Sequence, residues 1–168
     1  ASEGAYDNVA FHRVIDGFMA QTGDVVFGHL ENINYYQLAG QGASVKPNVI
    51  DEFSTIEFER GTVGAANTGL PNSFNSQFFI TFNDSYASSL NEQYTVFGKV
   101  IEGMENVDNI KRGDLNNNGM VVAPDYMLSV YTELGETDYL TPLTDTKGKA
   151  WSGNPIGVNT TSSGYELI

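Results

Sequence analysis

Short segments of aromatic and β-branched residues, each bounded by Gly, Asn or Asp, recur through most of the chain and leave little room for long helices. Alternation of apolar and polar residues within such segments is typical of half-buried strands. We therefore predict a mainly β or α+β domain of barrel-like shape with one or two helices. The predicted strands are 9–15, 18–21, 61–66, 77–82, 94–100 and 127–131.

The rest of the chain carries weaker signals. Met104, Val107 and Ile110 share one face at helical spacing, and Gly113 is suited to end a helix, so a helix is predicted over 103–112. The stretch 25–47 is expected to be an irregular surface loop. Residues 1–131 are predicted to form one domain, and residues 132–168 a C-terminal extension that is either packed on the surface or mobile.

Charge and composition exclude several classes of function. The chain has 21 acidic and 8 basic residues, a net charge of −13, which opposes binding to nucleic acids and to anionic membranes. Uninterrupted apolar runs long enough for a membrane-spanning helix, about 18 residues or more, do not occur. With no cysteine, disulfides, thiolate catalysis and Cys-ligated zinc are excluded. Acidity and lack of cysteine favour a periplasmic or secreted location, with a cytoplasmic one left open.

Two blocks of sequence carry a resemblance to a known family. The first, FHRVIDGFMAQTGD at 11–24, resembles the cyclophilin pattern F-H-R-x-I-x-G-F-M-x-Q-x-G-D. The second, Ala66-Asn67 followed by NSQFFI at 75–80, resembles the family's A-N and S-Q-F-F-I segments. A weaker third block is VFGKV at 96–100 with Gly103 and Met104. The chain is thus similar to cyclophilin-type peptidyl-prolyl cis/trans isomerases over 6–130, and the resemblance implies their antiparallel β-barrel with one or two flanking helices.

The resemblance implies that Arg13 is the catalytic residue. Isomerisation of an X-Pro bond must overcome a barrier of about 20 kcal/mol that arises from amide resonance. A catalyst therefore needs a donor that favours the twisted bond over the planar one, and it needs neither a nucleophile nor a metal. An arginine stays charged and presents a fixed fork of donors, but cannot act as a base. Since no proton is transferred, His12 is predicted to be structural.

The resemblance also implies a set of substrate-binding residues around Arg13. The proline pocket would be formed by side chains that are otherwise ordinary core candidates, with Tyr94 closing it. Two glutamines would position Arg13 and hold the peptide backbone, and one strand edge would pair with the extended substrate. These residues are Phe18, Met19, Phe79, Leu90 and Tyr94 for the pocket, Gln21 and Gln77 for positioning, and Ala66 and Asn67 for the edge. Phe11, Phe78 and Ile80 should face the barrel core instead.

The sequence departs from the family pattern at two places that affect function. Family members usually carry two strands and a helix before the position of Tyr6, so we expect an N-terminally incomplete barrel, completed by a separate segment or covered by the C-terminal extension. Many members also carry Trp and His where this chain has Ser89 and Tyr94. Without the indole donor, weak cyclosporin binding is expected.

A calcium site is an additional hypothesis, for the loop 114–125. Oxygen-bearing side chains occupy positions 1, 3, 5 and 12 of this stretch, with Gly119 at position 6, as in an EF-hand loop. The alternative is an Asn- and Gly-rich turn between a helix and a strand, which we favour. The candidate ligands are Asp114, Asn116, Asn118 and Asp125; no other cofactor is expected.

The sequence therefore leads to two functional hypotheses. In the first, the protein is an isomerase that accelerates rotation about X-Pro bonds in unfolded or flexible protein segments and so assists protein folding. In the second, it is a module that binds proline-containing peptides without turnover.

Overall fold

The computed structural model describes residues 3–132, 154–161 and 164–167. Strands account for most of the regular structure, with two short α-helices, α1 (Ala87–Leu90) and α2 (Met104–Asn109), and two 3₁₀ segments, Leu30–Leu38 and Leu115–Asn117. The strands are β1 (Val9–Ala10), β2 (Arg13–Ile15), β3 (Met19–Thr22), β4 (Thr62–Ala65), β5 (Phe78–Thr81), β6 (Val96–Glu102), β7 (Tyr126–Val130), β8 (Asn154–Thr161) and β9 (Gly164–Leu167). No helix of this described part is long and apolar enough to cross a membrane.

The strands form one sheet in the order β1-β7-β9-β8-β6-β4-β5-β3-β2. The two strands at the ends of this order, β1 and β2, follow each other in the chain with only Phe11 and His12 between them. The sheet therefore curls back on itself, and a barrel-like shape results. The strands β1 to β7 pair antiparallel, whereas β8 and β9 pair parallel with β6 and β7.

The mainly β fold class and the predicted strands from 18–21 to 127–131 agree with the structure, and the helix predicted over 103–112 is present as the shorter α2. The single strand predicted over 9–15 is wrong, because the chain leaves the sheet at Phe11 and His12 and forms two strands, β1 and β2.

The irregular surface loop predicted over 25–47 is corrected in part, because the stretch contains the 3₁₀ segment Leu30–Leu38. That segment buries none of its residues and lacks an apolar stripe, so periodicity could not indicate it. Tyr36 fixes it to the body of the protein by donating its hydroxyl proton to the Val121 carbonyl at 2.9 Å.

The predicted C-terminal extension falls mostly outside the described residues. Of 132–168, the structure describes residue 132 and the strands β8 and β9. These two strands form an antiparallel pair that lies between β6 and β7 in the sheet.

The barrel core lies on one face of the strands. Its buried members include the three residues predicted to face the core, Phe11, Phe78 and Ile80, and that prediction is confirmed. Arg13 and Ile15, which alternate with Val14 on β2, are only partly buried and face the other side. The alternation of strand side chains thus separates the folding core from a second, accessible surface.

A buried carboxylate organises the long connection after β3. Asp24 is 0% exposed, and its two oxygens accept four backbone N–H groups. Val26 and Phe27 donate to Oδ1 at 3.0 and 2.8 Å, and Gly40 and Gly42 donate to Oδ2 at 2.7 and 2.8 Å. A Cβ at position 42 would stand 2.1 Å from Asp24 Oδ1, so only glycine permits this approach. Asp24 therefore anchors both ends of the segment that carries the 3₁₀ helix.

Replacing Asp24 by Asn should destabilise the protein by about 2–4 kcal/mol, because an amide group would turn a donor toward N–H groups and remove the charge that they solvate. Urea unfolding monitored by circular dichroism measures this change. The matched control is Asp84→Asn at an exposed position, which should change stability by less than about 0.5 kcal/mol. Equal unfolding midpoints for the two variants would contradict the anchoring role.

Candidate active site

A row of cross-strand partners crosses the sheet and assembles the candidate site. Arg13 on β2 is opposite Gln21 on β3, Gln21 is opposite Phe79 on β5, and Phe79 is opposite Gly64 on β4. Residues directly opposite each other on neighbouring strands project from the same face of a sheet. Residues from two distant sequence blocks therefore meet on the face opposite the barrel core.

The guanidinium of Arg13 is half-buried and held by neutral partners. Nη1 donates to Gln21 Oε1 at 3.1 Å and approaches Met19 Sδ at 3.8 Å. Nε donates to the Asn118 carbonyl at 3.0 Å, and Nη2 donates to Asn118 Oδ1 at 3.2 Å. Four of its five N–H groups thus have partners, which leaves one Nη2–H among these contacts for a ligand.

The charge of Arg13 is not neutralised by a carboxylate within the described part of the chain. The other two arginines are ion-paired, Arg60 with Asp108 and Arg112 with Asp16. Burial lowers the pKa of Arg13, but an arginine remains protonated at any physiological pH. Although the protein has a net charge of −13, the positive charge of the Arg13 guanidinium is therefore available to a ligand.

A chain of hydrogen bonds links Arg13 to the Asp24 anchor. Gln21 Nε2 donates to Gln77 Oε1 at 3.0 Å, and Gln77 Nε2 donates to the carbonyls of Gly40 and Gly42 at 3.0 and 2.8 Å. The N–H groups of these same glycines are bound by Asp24. Both predicted positioning glutamines therefore lie in one continuous network behind the guanidinium.

An apolar cluster lies beside Arg13 on the same face of the sheet. Its buried members include three of the predicted pocket residues, and the half-buried Phe18, Ala66 and Tyr94 pack against them. Phe79 is central, since its ring stacks on Phe58 at 5.5 Å and meets the edge of Tyr94 at 5.5 Å. The buried residues of the cluster are Met19, Ile56, Phe58, Phe79, Leu90 and Val96.

Gly64 makes room for the aromatic pair at the centre of this cluster. A Cβ at this position would stand 2.6 Å from both Phe58 and Phe79. Any larger residue would therefore push Phe79 out of its stacked position. Neither Gly64 nor Phe58 was among the predicted site residues. The sequence signal for Gly64 is a glycine inside a predicted strand, and Phe58 lies outside the predicted strands and both motifs.

The predicted strand edge lies at the end of β4. The Ala66 N–H donates to the Gln77 carbonyl at 2.9 Å, which ties this edge to the start of β5. Asn67 Oδ1 accepts the Gly69 N–H at 3.0 Å and so orders the following turn. The edge thus lies beside the apolar cluster, to which Ala66 belongs.

His12 lies under a polar recess of roughly 450 Å³ next to Arg13. Carboxamide residues dominate the lining of this recess, among them Gln37, Gln41 and Asn117. The His12 ring is 3% exposed and lies near the Ala10 carbonyl and the Gln77 carboxamide, but neither ring nitrogen reaches hydrogen-bonding geometry with a described residue. Burial lowers its pKa to about 4, so the ring is neutral at physiological pH.

The four residues of the calcium hypothesis have separate protein contacts. Asp114 Oδ1 accepts the Asn116 N–H at 2.9 Å, and Asp125 Oδ2 accepts the Lys111 N–H at 2.8 Å. Asn118 contacts Arg13 through both its carbonyl and its side chain. Groups of three or more His, Cys, Asp or Glu suited to a metal do not occur among the residues that the structure covers. The calcium site stays a prediction, whereas the role of Asn118 beside Arg13 was missed.

Comparisons with known proteins show which family the chain is similar to. A family model described as cyclophilin type peptidyl-prolyl cis-trans isomerase/CLD matches residues 1–132. A probable peptidyl-prolyl cis-trans isomerase from Brucella abortus (strain 2308) is 53% identical over 131 residues, which are 78% of this chain and 66% of that protein. The peptidyl-prolyl cis-trans isomerase-like 3 of Gallus gallus is 39% identical over 115 residues, covering 66% of this chain and 63% of that protein.

The structural match points the same way. The crystal structure of a cyclophilin type peptidyl-prolyl cis-trans isomerase from Cryptosporidium parvum, in the presence of the dipeptide Ala-Pro, superposes with a TM-score of 0.55 at 28% identity. The superposition covers 71% of each chain. The chain spans 66% of the length of the Brucella relative.

Because His12 is buried, the free energy of unfolding should decrease as the pH is lowered. Its pKa drops from about 6.5 in the unfolded chain to about 4 in the folded protein, so between these values only the unfolded chain takes up the proton. Above pH 6.5 the ring is neutral in both states, and His12 does not lower the free energy of unfolding. By pH 5 its protonation in the unfolded chain should lower the free energy of unfolding by about 2 kcal/mol.

Urea unfolding of the wild type and of His12→Asn at pH 7 and pH 5 measures this effect as a difference between the two proteins. Titration of the His12 ring protons by NMR provides an independent check. A ring that titrates near 6.5 would contradict the prediction.

Proposed function

Because the chain belongs to the family of cyclophilin-type peptidyl-prolyl cis-trans isomerases, we propose that it accelerates rotation about X-Pro peptide bonds in flexible or unfolded protein segments. The single observation that carries this proposal is that Arg13, which has no carboxylate partner among the described residues, lies beside an apolar cluster on the accessible face of the sheet. Both parts of the site match the requirements of the reaction.

Arg13 would favour the twisted peptide bond over the planar one. As an X-Pro bond rotates, resonance is lost and the lone pair of the prolyl nitrogen becomes localised. A donor aimed at that lone pair stabilises the transition state more than the ground state, and only such a difference accelerates a reaction. The second Nη2–H of Arg13, which has no partner in the described part of the chain, is suited to this role, and the weak thioether contact with Met19 can give way to a substrate.

The apolar cluster would hold the proline ring while the preceding residue turns. Phe79, Met19 and Leu90 are buried and supply contact area, and the half-buried Phe18 and Tyr94 form the rim. A ring held in a fixed place lets the guanidinium act on a defined nitrogen, which reduces the entropy lost in the transition state. The end of β4 at Ala66 and Asn67 would pair with the extended substrate backbone. This chemistry requires neither a metal nor an organic cofactor.

Arg13→Ala should lower kcat/KM for isomerisation of an X-Pro test peptide by about 100- to 1,000-fold, as expected for loss of a donor that acts in the transition state. Affinity for the same peptide should change much less, since the apolar cluster is intact. A protease-coupled or NMR exchange assay of the peptide measures the rate.

The matched control is Arg60→Ala, which removes an arginine paired with Asp108 away from the site. This variant should retain the wild-type rate. Peptide binding without acceleration by the wild type would overturn the proposal and support the alternative of a binding module.

Weak binding of cyclosporin should accompany this activity. Position 89 carries an indole donor in many family members, but here it is a serine. The Ser89 hydroxyl donates to the Tyr86 carbonyl at 2.8 Å and is therefore not available to donate to cyclosporin. Titration calorimetry should therefore show weak binding to the wild type and tighter binding to Ser89→Trp. Equal affinities would contradict this explanation.

A further inference from the structure

Arg13 is held from a second side by a residue outside both sequence motifs. Gln21 and Met19 contact Nη1 from the neighbouring strand, whereas Asn118 contacts Nε and Nη2 from a loop more than a hundred positions away in sequence. We infer that Asn118 is a positioning residue that sets the orientation of the Arg13 guanidinium. This inference rests on the proposed isomerase function, because it concerns the donor of that reaction.

The two contacts of Asn118 define a plane for the guanidinium. Its backbone carbonyl accepts Nε–H at 3.0 Å, and its side-chain Oδ1 accepts from Nη2 at 3.2 Å. Two acceptors on adjacent nitrogens oppose rotation about the Nε–Cζ bond, as a carboxylate does in a bidentate pair. Unlike a carboxylate, an amide does so without neutralising the charge.

The backbone conformation of Asn118 makes this double contact possible. Asn118 follows the 3₁₀ segment Leu115–Asn117 and has φ 52° and ψ 30°, the left-handed region. Asparagine tolerates this region better than most residues with a Cβ. The carbonyl and the side chain of one residue can then face the same guanidinium.

Backbone pairing fixes the loop that carries Asn118 to β2. The Val14 N–H donates to the Gly119 carbonyl at 2.8 Å, and the Gly113 N–H donates to the Val14 carbonyl at 2.9 Å. A Cβ at Gly119 would stand 2.5 Å from Ile15, and one at Gly113 would stand 1.8 Å from the Gly119 carbonyl oxygen. Because both positions are glycine, the loop can lie against β2 and pair with both the N–H and the carbonyl of Val14, the residue after Arg13.

The consequence for catalysis is the direction of the remaining donor. With Nε, Nη1 and one Nη2–H engaged, the second Nη2–H is the donor left for a substrate among these contacts. Its direction is set by the Asn118 Oδ1 contact on the same nitrogen. Loss of that contact should reduce the probability of a productive geometry, and a donor used in the transition state affects kcat more than KM.

Asn118→Gly separates this role from the fold of the loop. Glycine adopts positive φ freely and retains the carbonyl that accepts Arg13 Nε–H, so only the Oδ1 contact is removed. The matched control is Asn116→Gly, which introduces the same flexibility into the same loop at an exposed position. Urea unfolding of both variants provides the check that the fold is retained.

Isomerisation kinetics of an X-Pro test peptide are the first readout. Asn118→Gly should lower kcat by about tenfold, the effect of one hydrogen bond to a charged group, and change KM by less than about twofold. Asn116→Gly should match the wild type. In the Arg13→Ala background, Asn118→Gly should cause no further loss of kcat/KM. An unchanged kcat in Asn118→Gly, or an equal loss in both backgrounds, would overturn the inference.

NMR of the arginine side chains tests the inference without any activity. The chain has only three arginines, Arg13, Arg60 and Arg112, so each guanidinium can be assigned by substitution. Rotation about the Nε–Cζ bond of Arg13 should be about tenfold faster in Asn118→Gly than in the wild type or Asn116→Gly. Unchanged rotation would overturn the positioning role, whether or not the wild type is active. Absence of wild-type isomerisation together with faster rotation would reject the proposed function alone.

Discussion

The candidate site depends on one chain of hydrogen bonds that runs from a buried carboxylate to a half-buried cation. Asp24 binds the N–H groups of Gly40 and Gly42, Gln77 binds the carbonyls of the same glycines, and Gln21 connects Gln77 to Arg13. Every link is made by an uncharged amide between two charged ends. The network can therefore hold the guanidinium still while leaving its charge available, which a direct ion pair could not do.

The two faces of the sheet have different tasks. One face packs the barrel core around Phe11, Phe78 and Ile80, and the other carries Arg13 with the cluster around Phe79. Successive residues of a strand point to opposite faces of the sheet, so the same strands supply both the core and the site. A shift of register by one residue would therefore exchange the core residues and the site residues.

Close backbone approach is the second condition for the site. Gly64 admits the stacked rings of Phe58 and Phe79, and Gly42 admits the carboxylate of Asp24. Gly113 and Gly119 admit the loop that brings Asn118 to Arg13. At each of these places a Cβ would stand closer than non-bonded atoms allow. The geometry of the site therefore depends on glycine at these four positions as well as on the side chains that line it.

The local sequence determined the strands, the division of their side chains between two faces, and the family to which the chain belongs. Alternation and turn residues are local signals, and the motif around Arg13 is contiguous, so both can be detected from the sequence alone. The site residues were identified through the resemblance, and the structure places six of them in one apolar cluster beside Arg13: Phe18, Met19, Ala66, Phe79, Leu90 and Tyr94.

Only the tertiary structure decided which distant groups meet. The 3₁₀ segment Leu30–Leu38 has no fully buried residue and no periodic signal, and contacts such as that of Tyr36 with Val121 hold it in place. Asn118 resembled a metal ligand in the sequence, since an oxygen-bearing side chain before glycine suits either role. Asn118 contacts Arg13 because backbone hydrogen bonds place its loop against β2. Pairing between segments so far apart in sequence cannot be detected from the local composition of either segment.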